Sequence, residues 1–429
     1  MRVQVEKFRQ ALKLLQPAVS GRNATMPITQ NVMVRDGMLH ATNLELAVSV
    51  PLPELDGKPF TFPFTYSRDT LAYLPGYEVL DLQVSGLEIQ LKTSRSSFTM
   101  HGGDPEEFPP LRAPDDHQAQ VDGDAFLAGL EQVAGYVAAD TSRPVITGVC
   151  VTLGDPVEVA GADGFRLAWQ PLGFAIQPPD GIRQLIIPAK SVAALMSIWR
   201  GASKTPAIPP HGEVPHHSSI GMAKVAVAKR PMNLTFDKAT LSCHFGGLKV
   251  ITQLVDGTFP EYKSLIPQGQ EQRVVFEAAD FALALRQVLH VGSQGSGVVR
   301  LSWEERAIRL WARSEELGTA EATIPGVSQG GPAHIAFNIR YLMEYFQGRE
   351  GQVMLEVTNP SSPGLFTHRG TPHVLVMPMH VEWDGRAEGP AVTAPPETAQ
   401  TEGKPKRNRR RRSRGAVANK PGPQAGQPS

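Results

Sequence analysis

Arg143-Pro-Val-Ile-Thr-Gly-Val149, followed shortly by Gly161-Ala-Asp-Gly-Phe-Arg-Leu-Ala168, is the stretch on which the fold turns. β-branched residues alternate through Val145, Thr147, Val149 and Val151, and valines again through Val157 and Val159. That period of two is the signature of strands. Asp163-Gly164 between two such runs is a tight-turn signal, because glycine accepts a positive φ at no steric cost. Strands joined there place Phe165 and Leu167 beside Ile146, at the edge of an apolar depression. The stretch frames a groove and holds no catalytic constellation.

Outward from it the chain repeats. Just upstream, Phe126, Leu130, Val133 and Val137 stand at the spacing of one helix face. The same stripe occurs near the start as Phe8, Leu12, Leu15 and Val19, and a third time as Phe281, Leu285 and Val288, with Gly292 in the last slot. One stripe is an ordinary core helix; three, each followed by strand patterns, predict a repeat architecture. Asp122 or Asp124 and Asp280 stand at the second and third helix starts, where a carboxylate caps free N–H groups. In the first copy Met26-Pro-Ile28 leads into strands at Asn31–Arg35 and Met38–Thr42 around an Asp36-Gly37 turn. In the third copy the pair is Val298–Trp303 and Ala307–Ala312. Second helices are expected at Ser67–Leu74, Ser191–Trp199 and Ile339–Phe346. Two copies close alike, on Asp104-Pro-Glu-Glu-Phe108-Pro109 and Asp256-Gly-Thr-Phe259-Pro260, where X-Pro steps favour extended backbone. The reading is three α+β units, residues 1–118, 119–267 and 268–384, the second lengthened by an insertion near 201–230.

With 429 residues the chain is too long for a single core, which agrees with several units. The balance of 42 basic and 42 acidic side chains hides an asymmetry. Residues 385–429 hold ten Lys/Arg and three Asp/Glu, which leaves 32 and 39 in residues 1–384, a charge of −7. An acidic body argues against a surface coated for DNA, though not against a basic lining on one face. The last segment, rich in Pro, Gly and charge, is expected to be a disordered basic tail. No apolar run approaches the ~20 residues of a membrane helix. Met1–Glu6 lacks an apolar leader core, and the cysteines are Cys150 and Cys243, so a cytoplasmic, reducing location is expected. In the insertion His211, His216 and His217 are metal-ligand types, but no Cys or further His is nearby. The segment therefore reads as a solvated loop, and no metal or cofactor is expected. There is no phosphate loop, HExxH or Gly-x-Ser-x-Gly, and Asp163 reads as a structural turn residue, so an enzyme is not expected.

Seven strings, in order over residues 1–383, resemble the bacterial β sliding clamp family, the processivity subunits of DNA polymerase III. They are Met26-Pro-Ile-Thr-Gln-Asn-Val32, Ala41-Thr-Asn-Leu-Glu45, Arg143-Pro-Val-Ile-Thr-Gly-Val149, Ala162-Asp-Gly-Phe-Arg-Leu-Ala168, Leu254-Val-Asp-Gly-Thr-Phe-Pro-Glu-Tyr262, Phe337-Asn-Ile-Arg-Tyr-Leu342 and Val376-Met-Pro-Met379. The resemblance implies three tandem DNA-clamp domains with helices inside and antiparallel sheets outside. It also implies a head-to-tail homodimer closed into a ring around duplex DNA. A loader would open the ring, and the ring would tether the replicative polymerase and recruit other replication and repair proteins. Such a ring works by topology and effective concentration and makes no bonds of its own.

The hole must attract phosphates without gripping them, a task for scattered cations. Opposite the first stripe lie Arg9 and Lys13, with Arg22 in the next loop; Arg286 takes the Lys13 slot in the third helix, and Lys190 and Arg200 bracket the second helix of the middle unit. Glu131 occupies that slot in the second repeat, so the lining is not uniformly positive. The resemblance adds Asn23 and Arg143 as DNA-touching loop residues. It further implies a groove for partner peptides between the second and third units. Its residues would be Ile146, Ala162, Gly164, Phe165, Arg166, Leu167, Pro260 and Leu265 from the middle unit. From the last would come Leu285, Asn338, Tyr341, Ser361, Pro363, Val376, Met377, Pro378 and Met379. An apolar cleft with few polar fixers and adaptable methionines suits several peptides. Phe165 stands where the family often has His, Ser264 and His380 where Arg is common, and the chain continues past Val381, departures that bear on peptide preference. The basic run Lys404–Arg414 lies outside the family pattern. It supports an alternative class: a non-enzymatic nucleic-acid-binding regulator acting through its tail.

Overall fold

The structure is a computed structural model, described here for residues 1–114, 116–202, 230–266 and 272–382. The insertion from 203 to 229, with its three histidines, and the basic tail lie outside the described residues.

One order of elements is run three times. The first pass is β1 (Arg2–Gln4), α1 (Val5–Leu15), β2 (Asn31–Arg35), β3 (Met38–Thr42), β4 (Leu46–Pro51), β5 (Phe60–Pro63), α2 (Phe64–Ala72), β6 (Val79–Ser85), β7 (Glu88–Lys92) and β8 (Ser97–His101). The second is β9 (His117–Asp122), α3 (Gly123–Ala134), β10 (Gly148–Thr152), β11 (Glu158–Ala162), β12 (Arg166–Pro171), β13 (Gln184–Pro188), α4 (Ala189–Ala202), β14 (Pro231–Phe236), β15 (Thr240–Phe245) and β16 (Leu248–Gln253). The third is β17 (Gln272–Glu277), α5 (Ala278–Gln294), β18 (Val298–Trp303), β19 (Ala307–Ser314), β20 (Gly318–Pro325), an added β21 (Val327–Gln329), β22 (Ala333–Asn338), α6 (Ile339–Phe346), β23 (Gln352–Val357), β24 (Gly364–His368) and β25 (His373–Val376).

Each pass makes two four-stranded antiparallel layers, and neighbouring passes fuse them edge to edge. β4 pairs with β16 to give an eight-stranded sheet, β5-β2-β3-β4-β16-β15-β14-β9. By the same rule β12 pairs with β25, giving β13-β10-β11-β12-β25-β24-β23-β17-β21. The end layers, β1-β6-β7-β8 and β20-β19-β18-β22, stay separate. The stripes do what their spacing predicts: Phe8, Leu12, Leu15, Phe126, Leu130, Val133, Phe281, Leu285 and Val288 are buried in one continuous core. At Gly292, in the last slot, a Cβ would lie 3.0 Å from Ile339 Cδ1 and 3.4 Å from Ala312 Cβ, so a larger residue would need the Ile339 side chain to shift by a few tenths of an ångström.

Some predicted boundaries move. Val145 and Thr147 are not strand. Pro144 starts a single 3-10 turn through Ile146, closed by Thr147 Oγ1 donating to the Pro144 carbonyl at 2.8 Å, and the strand begins at Gly148. Val19 and Val137 fall beyond the ends of α1 and α3. Asp122 caps α3, its carboxylate accepting the N–H groups of Asp124 and Ala125. Asp280 does not cap α5; it lies inside the first turn, and Glu277 holds the cap position. The second helices begin earlier than Ser67 and Ser191, at the residues that follow Pro63 and Pro188, the last residues of β5 and β13. Ile339–Phe346 stands as predicted. Both cysteines are free and buried, and burial pushes each thiol up to about 12. Among the described residues no helix is long and apolar enough to cross a membrane.

Candidate functional site

The junction of the second and third passes is built on the turn between β11 and β12. Gly164 has φ 92°, a conformation that favours glycine. One Asp163 carboxylate oxygen accepts the N–H groups of Phe165 and Arg166, both at 2.9 Å, and the other accepts Arg166 Nε at 3.0 Å. Beyond the turn β12 runs beside β25, with Arg166 opposite Val376 and Leu167 opposite Leu375. The Met377 N–H donates to the Phe165 carbonyl at 2.8 Å, and the Met379 N–H to the Ala336 carbonyl at 2.8 Å. Residues 377–379 are thereby tied to both passes.

One face of this ladder carries a second apolar cluster, apart from the main core. It joins Ile146, Leu167 and Leu375 to Cys150, Trp169, Ile186, Leu365, Phe259 and Tyr262. Phe259 and Tyr262 arrive on the segment after β16. The Phe259 N–H donates to Gln184 at 3.1 Å, the Tyr262 hydroxyl to Glu158 at 3.1 Å, and Lys263 pairs with Glu158 at 2.8 Å. Phe165 and Met377, on the β12 and β25 chains that carry Leu167 and Leu375, and Leu265, three residues after Tyr262, are exposed apolar residues flanking this cluster in the chain. Phe165 is 57% exposed, and its ring stacks on Tyr341 at 6.2 Å. Exposed hydrophobics that flank a buried apolar cluster make this junction the candidate contact surface.

Of the predicted groove residues, Ile146 and Leu167 join the cluster, Arg166 lies opposite Val376, Phe165 stacks on Tyr341, and Met377 bonds to Phe165. Gly164, Pro260 and Ser361 are exposed, while Ala162, Pro363, Pro378, Met379, Asn338 and Tyr341 are half-buried. Asn338 is occupied in capping α6, accepting the Arg340 N–H at 2.9 Å. Two predictions need correcting. Leu285 and Val376 belong to the main core and present no surface. Val376 points away because strand neighbours alternate faces; Leu375, one place earlier, shares the face of Leu167. Period two, counted back from Met377, reaches Leu375 and was the signal available.

Arg166 is nearly buried, its side chain 10% exposed. Burial works to lower its pKa, but hydrogen bonds to Glu344 and Asp163 outweigh it and hold the guanidinium above its ordinary value. Burial raises the Tyr341 hydroxyl too, with the Asp163 charge adding to it.

The predicted DNA contacts divide. Lys13, Arg22, Asn23, Lys190 and Arg286 are exposed. Arg9 is committed to structure: it pairs with Glu6 at 3.1 Å and donates to the carbonyls of Leu71 and Leu74 at 2.9 and 2.6 Å, capping α2. Arg200 is paired with Glu131. Arg143 lies against the groove turn, donating to the Asp163 carbonyl at 3.3 Å. Among the described residues no group of three or more His, Cys, Asp or Glu is placed to hold a metal.

Triplicated helix-and-sheet passes, fused edge to edge with an apolar notch at the second fusion, define the DNA-clamp class. The model of the family described as DNA polymerase III beta subunit, C-terminal domain, matches residues 263–380, which span the last pass. The chain is similar to the Beta sliding clamp of Streptomyces coelicolor, 26% identical over 293 residues, covering 68% of this chain and 72% of that protein. It is also similar to that of Pseudomonas putida, 22% identical over 391 residues, 88% of this chain and 99% of that one. Among solved structures, the DNA polymerase III subunit beta from Pseudomonas aeruginosa superimposes with a TM-score of 0.75 at 22% identity, over 89% of this chain and all of that one. A sliding clamp from the same organism bound to griselimycin gives 0.74 at 22% identity, over 89% and 99%.

Proposed function

We propose that the protein is a DNA sliding clamp: two copies close head to tail around duplex DNA, and the groove at the second fusion holds the replicative polymerase and other partners. The observation that carries this is the fusion rule. β4 finds β16 and β12 finds β25, yet the equivalent strands β20 and β8 are paired on one side only among the described residues. A second copy supplies both missing neighbours, a heterologous contact that rotation closes. The helices agree. Where the first two passes meet, α4 covers α1 and hides Leu14, over which a Cβ at Gly201 would come within 2.8 Å. The matching face of α5 leaves Leu283 open, and beyond α2 Tyr73 is 90% exposed.

On this reading residues 1–118, 119–267 and 268–384 are three clamp domains. Lys13, Arg22, Asn23, Lys190 and Arg286 offer sequence-independent phosphate contacts that permit sliding. Arg143 serves the groove mouth instead. The protein is a processivity factor without catalytic residues, works in the cytoplasm, needs no cofactor, and is opened by a loader. Retention on circular duplex DNA, with release when the circle is cut, is the expected result alongside a dimeric size in solution. A monomer that binds linear DNA with a steep salt slope, lost when residues 385–429 are removed, would instead establish the tail-driven regulator.

A further inference from the structure

The third pass carries a depression on its outer sheet face that the groove does not use. Cross-strand register sets Val275 of β17 beside Met354 of β23, and Met354 beside Thr367 of β24. Their strand neighbours Val274, Val353, Leu355 and Phe366 enter the main core, so these three face the other way. With Gln352, His368 and Arg369 they line a depression of about 530 Å³, to which Val275 and Met354 supply the apolar part. Two residues further along the same strands and on the same face, Arg273 pairs with Glu356 at 3.1 Å, so that carboxylate is already matched. The His368 side is held in place. Arg349 donates through Nε to the Tyr345 carbonyl at 3.0 Å, and through one terminal nitrogen to Thr371 Oγ1 at 2.9 Å and His368 Nδ1 at 3.3 Å. A guanidinium only donates, so Nδ1 accepts, and His368 Nε2 donates to the Glu350 carbonyl at 2.8 Å. Both ring nitrogens are used, and the imidazole has only its ring to offer. Arg369 is different: it is exposed and, among the described residues, makes no hydrogen bond or ion pair.

We propose that this depression is a second binding site, for the carboxyl-terminal end of a partner polypeptide: the last apolar side chain lies against Val275 and Met354, and the terminal carboxylate is held by Arg369. A mostly apolar lining with a few polar groups is the pattern of a small-ligand site, and the volume suits one or two residues rather than a folded surface. The charge selects the carboxylate, since the planar fork of arginine matches its two oxygens. The assignment does not depend on the groove at the β12–β25 seam.

The test labels the methionine methyl groups of the full chain with carbon-13 and follows them by NMR, Met354→Leu assigning the Met354 signal. The probe is acetyl-Leu-Leu with a free carboxylate, compared with its carboxyl-terminal amide. The acid is expected to shift Met354 and leave the groove methionines Met377 and Met379 in place, and to bind about three- to fivefold more tightly than the amide. Arg369→Gln, at an exposed position, should bring acid and amide to equal affinity while Met354 still responds to both. Equal affinities in the unsubstituted protein, or a difference that survives Arg369→Gln, overturn the carboxylate contact. A Met354 signal unmoved at about 10 mM acid, or movement of Met377 and Met379 in its place, overturns the site. Octanoate shifting Met354 where acetyl-Leu-Leu does not assigns the depression to a free fatty acid and overturns the polypeptide.

Discussion

Leu44 and Gly164 hold the same place in successive passes, the turn before the strand that fuses with the next pass, yet one was legible and the other was not. Asp163-Gly164 announces its turn. Leu44 adopts φ 76° with no glycine to signal it, held because Asn43 accepts the N–H groups of Glu45 and Leu46 at 3.1 and 2.8 Å and Gln253 donates to the Leu44 carbonyl at 3.0 Å. Asparagine tolerates this region better than leucine. Leu44→Asn is therefore expected to raise stability by about 0.5–1 kcal/mol, read from the urea midpoint. His40 gives a pH prediction. On β3, with Nδ1 2.8 Å from Ser49 Oγ, it is held down to about 4, by burial first and then by the charges of Arg35 and Lys249. Unfolded, it titrates near 6.5. Between those values the unfolded chain takes up a proton the folded one refuses. Stability is thus fully present above about 6.5, drains as pH falls toward about 4, and levels below it. His244 shifts in the same direction, again through burial. Urea midpoints of His40→Gln should show a shallower slope across that window; an unaltered slope would exclude His40 as its source.

Element by element, helix faces were readable and helix functions less so. The stripes located α1, α3 and α5 because burial of one face dictates the spacing. Removing one such anchor, Phe126→Ala, should cost about 3–5 kcal/mol by thermal or chemical unfolding. The opposite faces were harder. Sequence places Arg9 beside Lys13 on the polar side of α1, but only the fold reveals that one terminal nitrogen ends on the carbonyls of Leu71 and Leu74, at and just past the end of α2. Arg9→Gln should destabilise by about 1–2 kcal/mol and leave DNA affinity within twofold, whereas Lys13→Gln should weaken DNA binding and its salt dependence with unfolding unchanged. Strand facing shows the same limit at finer grain: the residue strings led to the groove, and only the β12–β25 register decided Leu375 over Val376.

For the whole molecule, the threefold pattern was plain in the sequence because each pass must bury its own helix and so repeats its own spacing. The fusion of passes was not, since β4 and β16 are far apart in the chain and no local signal names a strand's distant neighbour. That fusion supports the assembly prediction. Tyr73→Asp combined with Leu283→Asp should yield folded single copies at micromolar concentration, checked by light scattering; a persisting dimer would place the contact elsewhere. An end-to-end contact of this kind has one donor end and one acceptor end, and nothing in the contact itself counts to two. In the proposed ring, closure would depend on the bend accumulated across the β4–β16 and β12–β25 seams. A substitution that straightens either seam by a few degrees would leave every contact satisfied and still turn a closed pair into a larger ring or an open filament.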